Sequence, residues 1–323
     1  MNYPSAHAAD LPTTGDQLFL TDGGIETTLI FHDGIELPYF AAFILLDDDH
    51  GREKLTEYFE RHIAVARAHD LGFVLETPTW RASADWGHLL GRTGAEMEKV
   101  NTEAIYLMRT LRNKHQHAVN PLLISGCVGP RGDGYDPGDV MTVIEAKEYH
   151  VPQIRAFANA GADMVTGITM TNTPEALGIV GAAKEAGVPV VVSFTVETDG
   201  ALVTGQPLSE AIREVDDATG GYATYFMVNC AHPDHFEDVL QKGGNWVRRI
   251  GGVRANASRM SHAELDESEV LDDGNPSELG EDYRRLMKLL PNLRVLGGCC
   301  GTDHRHVDAM AHACNHGHPV AAE

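Results

Sequence analysis

"DMVTGITMTNTPEALGIVGAAKEAGVPVVVSF", residues 163 to 194, contains a strand, a helix and a second strand in succession. Its apolar ends, "DMVTGI" (163 to 168) and "VPVVVSF" (188 to 194), are short and nearly continuous, as strands buried on both faces require. Between them the chain carries helix punctuation: Thr173 is the expected N-cap, Pro174 the first helical residue and Gly187 the residue past the end. Such a unit implies parallel strands, because a crossover helix carries the chain back to the starting edge.

The same pattern repeats outward in both directions. Further strands are expected at "LFLTD" (18 to 22), "FVLET" (73 to 77), "LLISGC" (122 to 127), "TYFMVNC" (224 to 230), "RIGGVR" (249 to 254) and "RVLGGC" (294 to 299), which brings the total to eight. Helical segments separate them. Leu55, Tyr58, Phe59, His62, Ile63 and Ala66, for example, recur at three- and four-residue spacing and form one apolar stripe. Eight such units in this length fit an α/β fold, a single-domain (β/α)8 TIM barrel, with its chemistry at the carboxyl ends of the strands. A doubly wound open sheet is the structural alternative, but "TDGGIET" (21 to 27) does not match the G-x-G-x-x-G fingerprint. The barrel is expected over 17–316, with an N-terminal extension at 1–16 and a C-terminal tail at 317–323.

Charge narrows the partners. Lys and Arg total 25 against 47 Asp and Glu, a net charge of −22, which disfavours nucleic acid and anionic membranes. No leader pattern and no long apolar run is present, so a soluble cytoplasmic protein is expected, with its oligomeric state, homo-oligomer included, left open. Much of the acidic excess falls in "HAELDESEVLDDGNPSELGED" (262 to 282), read either as a solvated loop or as a cation or partner site.

The chain has five cysteines, Cys127, Cys230, Cys299, Cys300 and Cys314, without the spacing of a disulfide framework. Cys127 and Cys314 read as small buried hydrophobes. Cys299 and Cys300 differ, because neighbouring thiols rarely bond to each other and the glycines around them let both sulfurs face one point. Cys230, in "VNCAHP" at the end of the sixth strand, is the best-placed third thiol. Three thiolates on Zn²⁺ leave a fourth position for a substrate. Such a thiolate-rich shell suits holding a substrate thiol as thiolate better than making hydroxide. His304, His306, His312, His316 and His318 offer a rival metal site, although solvent-facing histidines are the simpler reading.

With those residues in hand, the chain resembles the homocysteine S-methyltransferase family. "GGCCGT" (297 to 302), "VNCAHP" (228 to 233), "TDGGIET" (21 to 27), "SGCVGPRGDGY" (125 to 135) and "SFTVETDGALVTGQPLSEAI" (193 to 212) carry the likeness, over roughly residues 17 to 314. The resemblance implies a Zn²⁺ barrel in which Cys230, Cys299 and Cys300 hold the metal and homocysteine sulfur takes the fourth position. It also implies an acidic group, Asp22 in "DGG", near the substrate amino group. Methyl transfer would be an in-line displacement from a small sulfonium or ammonium donor of the S-methylmethionine, S-adenosylmethionine or betaine type, giving methionine. Gly23, Gly24, Glu26, Glu76, Thr77, Trp80, Thr169 and Asn229 complete the expected substrate-binding set. For the onium group, Trp80 is the first choice of aromatic face, ahead of Trp86, Tyr39 and Phe40.

Two departures bear on the acceptor. Ile168 stands where the resemblance would place a glutamate that holds the homocysteine ammonium, and "RANAS" (254 to 258) brings Arg254 to the end of the seventh strand. These favour, as alternatives, weaker homocysteine binding, another thiol acceptor or compensation by a different carboxylate such as Glu76. A third reading is a zinc- or thiol-binding protein without turnover.

Overall fold

The computed structural model describes residues 11–12, 17–266 and 270–315. Apart from Leu11 and Pro12, the expected extension and the tail lie outside the described residues, as do His316 and His318. Eight parallel strands form a closed barrel in sequence order. They are β1 (Phe19–Leu20), β2 (Gly72–Glu76), β3 (Leu122–Val128), β4 (Met164–Met170), β5 (Val190–Thr195), β6 (Ala223–Asn229), β7 (Ile250–Ala255) and β8 (Val295–Gly298). Phe19 pairs with both Gly72 and Val295, which closes the sheet. All eight expected strands are present.

Helices follow the strands around the outside: α1 (Asp49–Ala68), α2 (Gly94–His115), α3 (Val143–Ala160), α4 (Thr173–Ala186), α5 (Leu208–Thr219), α6 (Pro233–Gln241), α7 (Pro276–Leu289) and α8 (His304–Asn315). The expected α1 stripe, from Leu55 to Ala66, is buried throughout. In α4 the cap falls one residue earlier than expected. Asn172, not Thr173, is extended at the N-cap, and its Oδ1 accepts the Glu175 amide at 2.9 Å. Gly187 ends the helix at φ +70° as expected.

Strand alternation sorts the core into two layers. Val74, Leu123, Met164, Val191, Tyr225, Met227 and Val295 pack together inside the barrel, whereas their neighbours Phe73, Ile124, Val165, Val192 and Phe226 join the helix-facing core. Two residues further along the inward rows lie Glu76, Ser125 and Thr166, and beyond these Cys127 and Ile168. An apolar plug thus floors the barrel, and polarity begins toward the carboxyl ends of the strands. No helix among the described residues is long and apolar enough to cross a membrane.

Candidate active site

The loop after β1 and the turn after β8 are stitched together by their backbones. Gly298 N donates to Asp22 O at 2.9 Å, and Gly24 N donates to both Thr302 O and Thr302 Oγ1. Gly24 is required here because a Cβ would stand 2.5 Å from the Cys299 carbonyl oxygen. Gly301 turns the chain at φ +78° immediately after the cysteine pair. Helix α1 supports the loop from below. Tyr58 Oη donates to Asp22 Oδ2 at 2.9 Å, and Gly23 N donates to His62 Nε2 at 3.2 Å. His62 Nδ1 meets the Tyr58 carbonyl, so the proton sits on Nδ1; burial pushes the His62 pKa down to about 4 and keeps the ring neutral.

Cys230, Cys299 and Cys300 converge at this seam. Their sulfurs all lie within 4.8 Å of one another, a group that could hold a metal ion. The Cys230 and Cys299 sulfurs are in direct disulfide contact, with Cα atoms 5.4 Å apart, and Cys300 is exposed. Cys230 reaches the group through a left-handed backbone, φ 53°, just past the end of β6. Asn229 braces the wall from behind: its Oδ1 accepts Thr169 N and Ser193 Oγ, and its Nδ2 approaches Cys299 Sγ at 4.0 Å. With the Cys230–Cys299 contact reduced, three thiols at a cavity would suit a soft or borderline cation with one ligand position left for substrate.

The cysteines line an inner chamber of about 100 Å³ with Asp22, Gly23, Gly24, Glu26, Glu76, Thr77, Trp80, Ile168, Thr169 and Arg254. Of the metal-binding and substrate-binding sets expected from the sequence, all are at the chamber wall except Asn229, which stands behind it. Cys127 also lines the chamber; burial, reinforced by Glu76, holds its thiol well above the usual pKa, so it stays protonated. Cys314 is buried in the outer core, as expected.

The electrostatics depart from the expected arrangement. Arg254 does bring a cation to the end of β7, but Nη2 donates to Asp22 Oδ1 at 2.9 Å, and Thr21 Oγ1 donates to the same oxygen. Asp22 is thus engaged at both oxygens before any substrate arrives. Burial opposes the Arg254 charge, yet Asp22 and Glu76 outweigh it and raise its pKa. Glu76 has the reverse balance: burial pushes it up to about 7, and its Oε2 has no hydrogen-bond partner. Glu26 is likewise pushed to about 7 by burial. Ile168, only 7% exposed, presents a hydrocarbon wall.

An outer chamber of about 310 Å³ adjoins the inner one; Glu26, Thr27, Trp80, Tyr135 and Cys300 line both. Tyr135, whose Oη lies 3.5 Å from Cys300 Sγ, was not singled out from the sequence. Its position at the end of "SGCVGPRGDGY" was the available signal. Arg81 was also missed. Its guanidinium lies 3.9 Å from the Trp80 ring centroid and 3.8 Å from that of Trp86, so it covers the indole faces expected to receive an onium group. Trp86 does not line either chamber, whereas Phe40 lines the outer one.

The histidine alternative does not assemble among the described residues. His306 is fully buried and bonded to Asp303 and the Asp273 carbonyl, contrary to a solvent-facing reading, and it belongs to no metal-compatible group. His232, Asp234 and Asp282 do cluster, but Arg259 and Arg285 already pair with the two aspartates. The acidic segment 262–282 is divided in the same way, with Asp273 paired to Arg305 and Asp272 accepting from Ser258.

Residues 19–314, almost the whole barrel, match the family model described as homocysteine S-methyltransferase. The chain belongs to that family. It is 21% identical to homocysteine S-methyltransferase 1 of Arabidopsis thaliana, over 90% of this chain and 92% of the relative. Homocysteine S-methyltransferase 4 of Zea mays is 28% identical over 60% of this chain and 58% of its own length. Among solved structures, the homocysteine methyltransferase MmuM from Escherichia coli is similar in two states. Its oxidized form has a TM-score of 0.72 at 21% identity, covering 93% of this chain and 97% of that one. Its metallated form has a TM-score of 0.71 at 19% identity, covering 92% and 96%. Membership makes this chain a methyltransferase and sets aside the reading without turnover.

Proposed function

We propose that this methyltransferase binds one Zn²⁺ through Cys230, Cys299 and Cys300 and moves a methyl group from a small sulfonium or ammonium donor onto homocysteine, giving methionine. The observation that supports this reading is the gathering of three sulfurs within 4.8 Å on the wall of the inner chamber. When bound, the metal would lower the pKa of a substrate thiol, which is only a few per cent thiolate at neutral pH with a free value of about 8.5. The thiol proton leaves to solvent. Sulfur then forms the new S–CH3 bond while the CH3–onium bond breaks, its electron pair remaining on the departing sulfur or nitrogen.

The protein's own groups position the partners. The Asp22-Gly23-Gly24 loop, held by Tyr58, His62 and Thr302, fixes the floor on which the acceptor lies. Glu76 and Glu26 offer carboxylates to positive charge, since a cationic ligand favours their ionised forms. In-line approach then requires the donor in the outer chamber, across Cys300 from the acceptor. The test is metal analysis of the purified protein together with methionine formation from homocysteine. About one zinc per chain and product from at least one onium donor are expected; full activity in a zinc-free preparation would overturn the reading.

A second reading, a thiol acceptor lacking the α-ammonium group, is favoured by the Asp22–Arg254 pair beside Ile168. Under it, a mercapto acid would exceed homocysteine in kcat/KM. Faster turnover of homocysteine would exclude it.

A further inference from the structure

We propose that Arg81 makes the outer chamber a site for onium donors that also carry a carboxylate, by binding that carboxylate. The inference rests on the methyl-transfer reading and adds the part of the donor that is recognised.

Arg81 is only 4% exposed, yet it is poorly satisfied for a buried guanidinium. Of its five N–H donors, Nη1 donates to Gly132 O at 2.9 Å, and Nε has no partner. Its counter-ion is Asp133, whose carboxylate is 3.5 Å from Nη2 and 52% exposed. That is a long contact to a group facing solvent. Buried Arg side chains are ordinarily paired and well bonded, and the fork of a guanidinium matches a carboxylate with two parallel hydrogen bonds. The indoles of Trp80 and Trp86 hold the fork in place from either side, so little freedom is lost when a ligand binds.

The stacking also decides where the positive end of the donor cannot go. Arg81 itself fills the aromatic sandwich, and a second cation there would meet like charge in a poorly solvated site. Glu26, which lines both chambers, supplies negative charge toward Cys300. The outer chamber therefore has one cationic feature, at Arg81, among carboxylates at Glu26, Asp133 and Asp272, of which Glu26 alone also lines the inner chamber. A zwitterion that places its carboxylate on Arg81 and its onium group by Glu26 complements both residues and turns its methyl-bearing centre toward the thiols. An onium ion without a carboxylate meets the acidic groups alone and leaves Arg81 with its long Asp133 contact and an unbonded Nε.

Calorimetry on the full chain, without any thiol acceptor so that no turnover occurs, tests this. Dimethylsulfoniopropionate and betaine are each compared with the counterpart lacking the carboxylate, ethyldimethylsulfonium and tetramethylammonium. The native protein is expected to bind at least one zwitterion at least 30-fold more tightly than its counterpart. Arg81→Gln should reduce that ratio at least tenfold, with Arg81→Lys between the two and the counterpart's affinity altered less than threefold. Equal affinity for both members of each pair, or no binding of any of them, overturns the proposal. So does an equal loss for both members in Arg81→Gln, which would mean that Arg81 only packs the tryptophans. Should Arg81→Gln not fold, the methyl ester of dimethylsulfoniopropionate provides the decision on the native protein: affinity equal to that of the acid overturns the proposal. Methionine formation is scored separately, so loss of the donor preference and loss of the methyltransferase reading give different results.

Discussion

At the carboxyl ends of β6 and β8, Cys230, Cys299 and Cys300 bring three sulfurs within 4.8 Å at the wall of the inner chamber. At the ends of β1 and β7, interleaved with these strands, Asp22 and Arg254 are buried against each other at 2.9 Å, and Ile168 at the end of β4 closes the wall with hydrocarbon. Once the Cys230–Cys299 contact is reduced, the first group has three sulfurs available as ligand atoms. The other has spent its charges internally. A buried ion pair with its desolvation already matched is a poor receptor for a further ion, because binding must first loosen a contact that burial has made strong. Under the proposed function, metal and sulfur recognition would fall to the three cysteines and amino-acid recognition to whatever charge remains, chiefly Glu76.

The largest effect should come from breaking the thiol half. Cys299→Ala or Cys300→Ala is expected to remove bound zinc and to lower kcat/KM by at least 1000-fold, about 4 kcal/mol in transition-state terms. Metal analysis and steady-state rates on the same preparation check this. Arg254→Ala breaks the other half and leaves Asp22 buried without its cation. Denaturant unfolding should show a loss of about 3–5 kcal/mol, part of which returns when Asp22→Asn is added.

Glu76→Gln tests whether the remaining carboxylate is kept for a ligand at a cost to stability. Folding raises the Glu76 pKa from 4.5 to about 7, so the folded state holds the proton more tightly than the unfolded chain. Its ionisation therefore destabilises the fold progressively between those values, and the deficit is complete above the upper one. Unfolding at pH 8 should show Glu76→Gln more stable by about 1–3 kcal/mol, with no gain at pH 4. The same variant should bind the amino-acid acceptor more weakly. The smallest effect is expected from Ile168→Glu, which adds a carboxylate where the wall is apolar. A roughly tenfold fall in KM for homocysteine, about 1.4 kcal/mol, would show that the missing charge limits acceptor binding. An unchanged KM would show that Glu76 already suffices.

The fold was legible in the sequence because its signals are local. Near-continuous apolar strands, the α1 stripe from Leu55 to Ala66 and the Gly187 helix stop each follow from residue type and spacing. The cap at Asn172 was misplaced by one residue because two adjacent polar residues can both cap, and only the 2.9 Å bond to Glu175 distinguishes them. The thiols were legible for a related reason: "GGCC" and "VNC" each lie at a strand end, and closure of the barrel brings strand ends together.

Arg81 and Arg254 were harder to read, since an arginine's role depends on what surrounds its far end. The sequence by itself determined eight parallel units, their common mouth and the three cysteines delivered to it, since backbone periodicity and strand direction suffice for these. The tertiary structure alone decided which charges are spent on each other. That Asp22 meets Arg254 across the closed barrel, and that Arg81 enters the space between Trp80 and Trp86, depends on side chains distant in sequence or free to turn several ways. Electrostatic energy in a buried site is set by such distances of a few ångströms, which spacing along the chain does not encode.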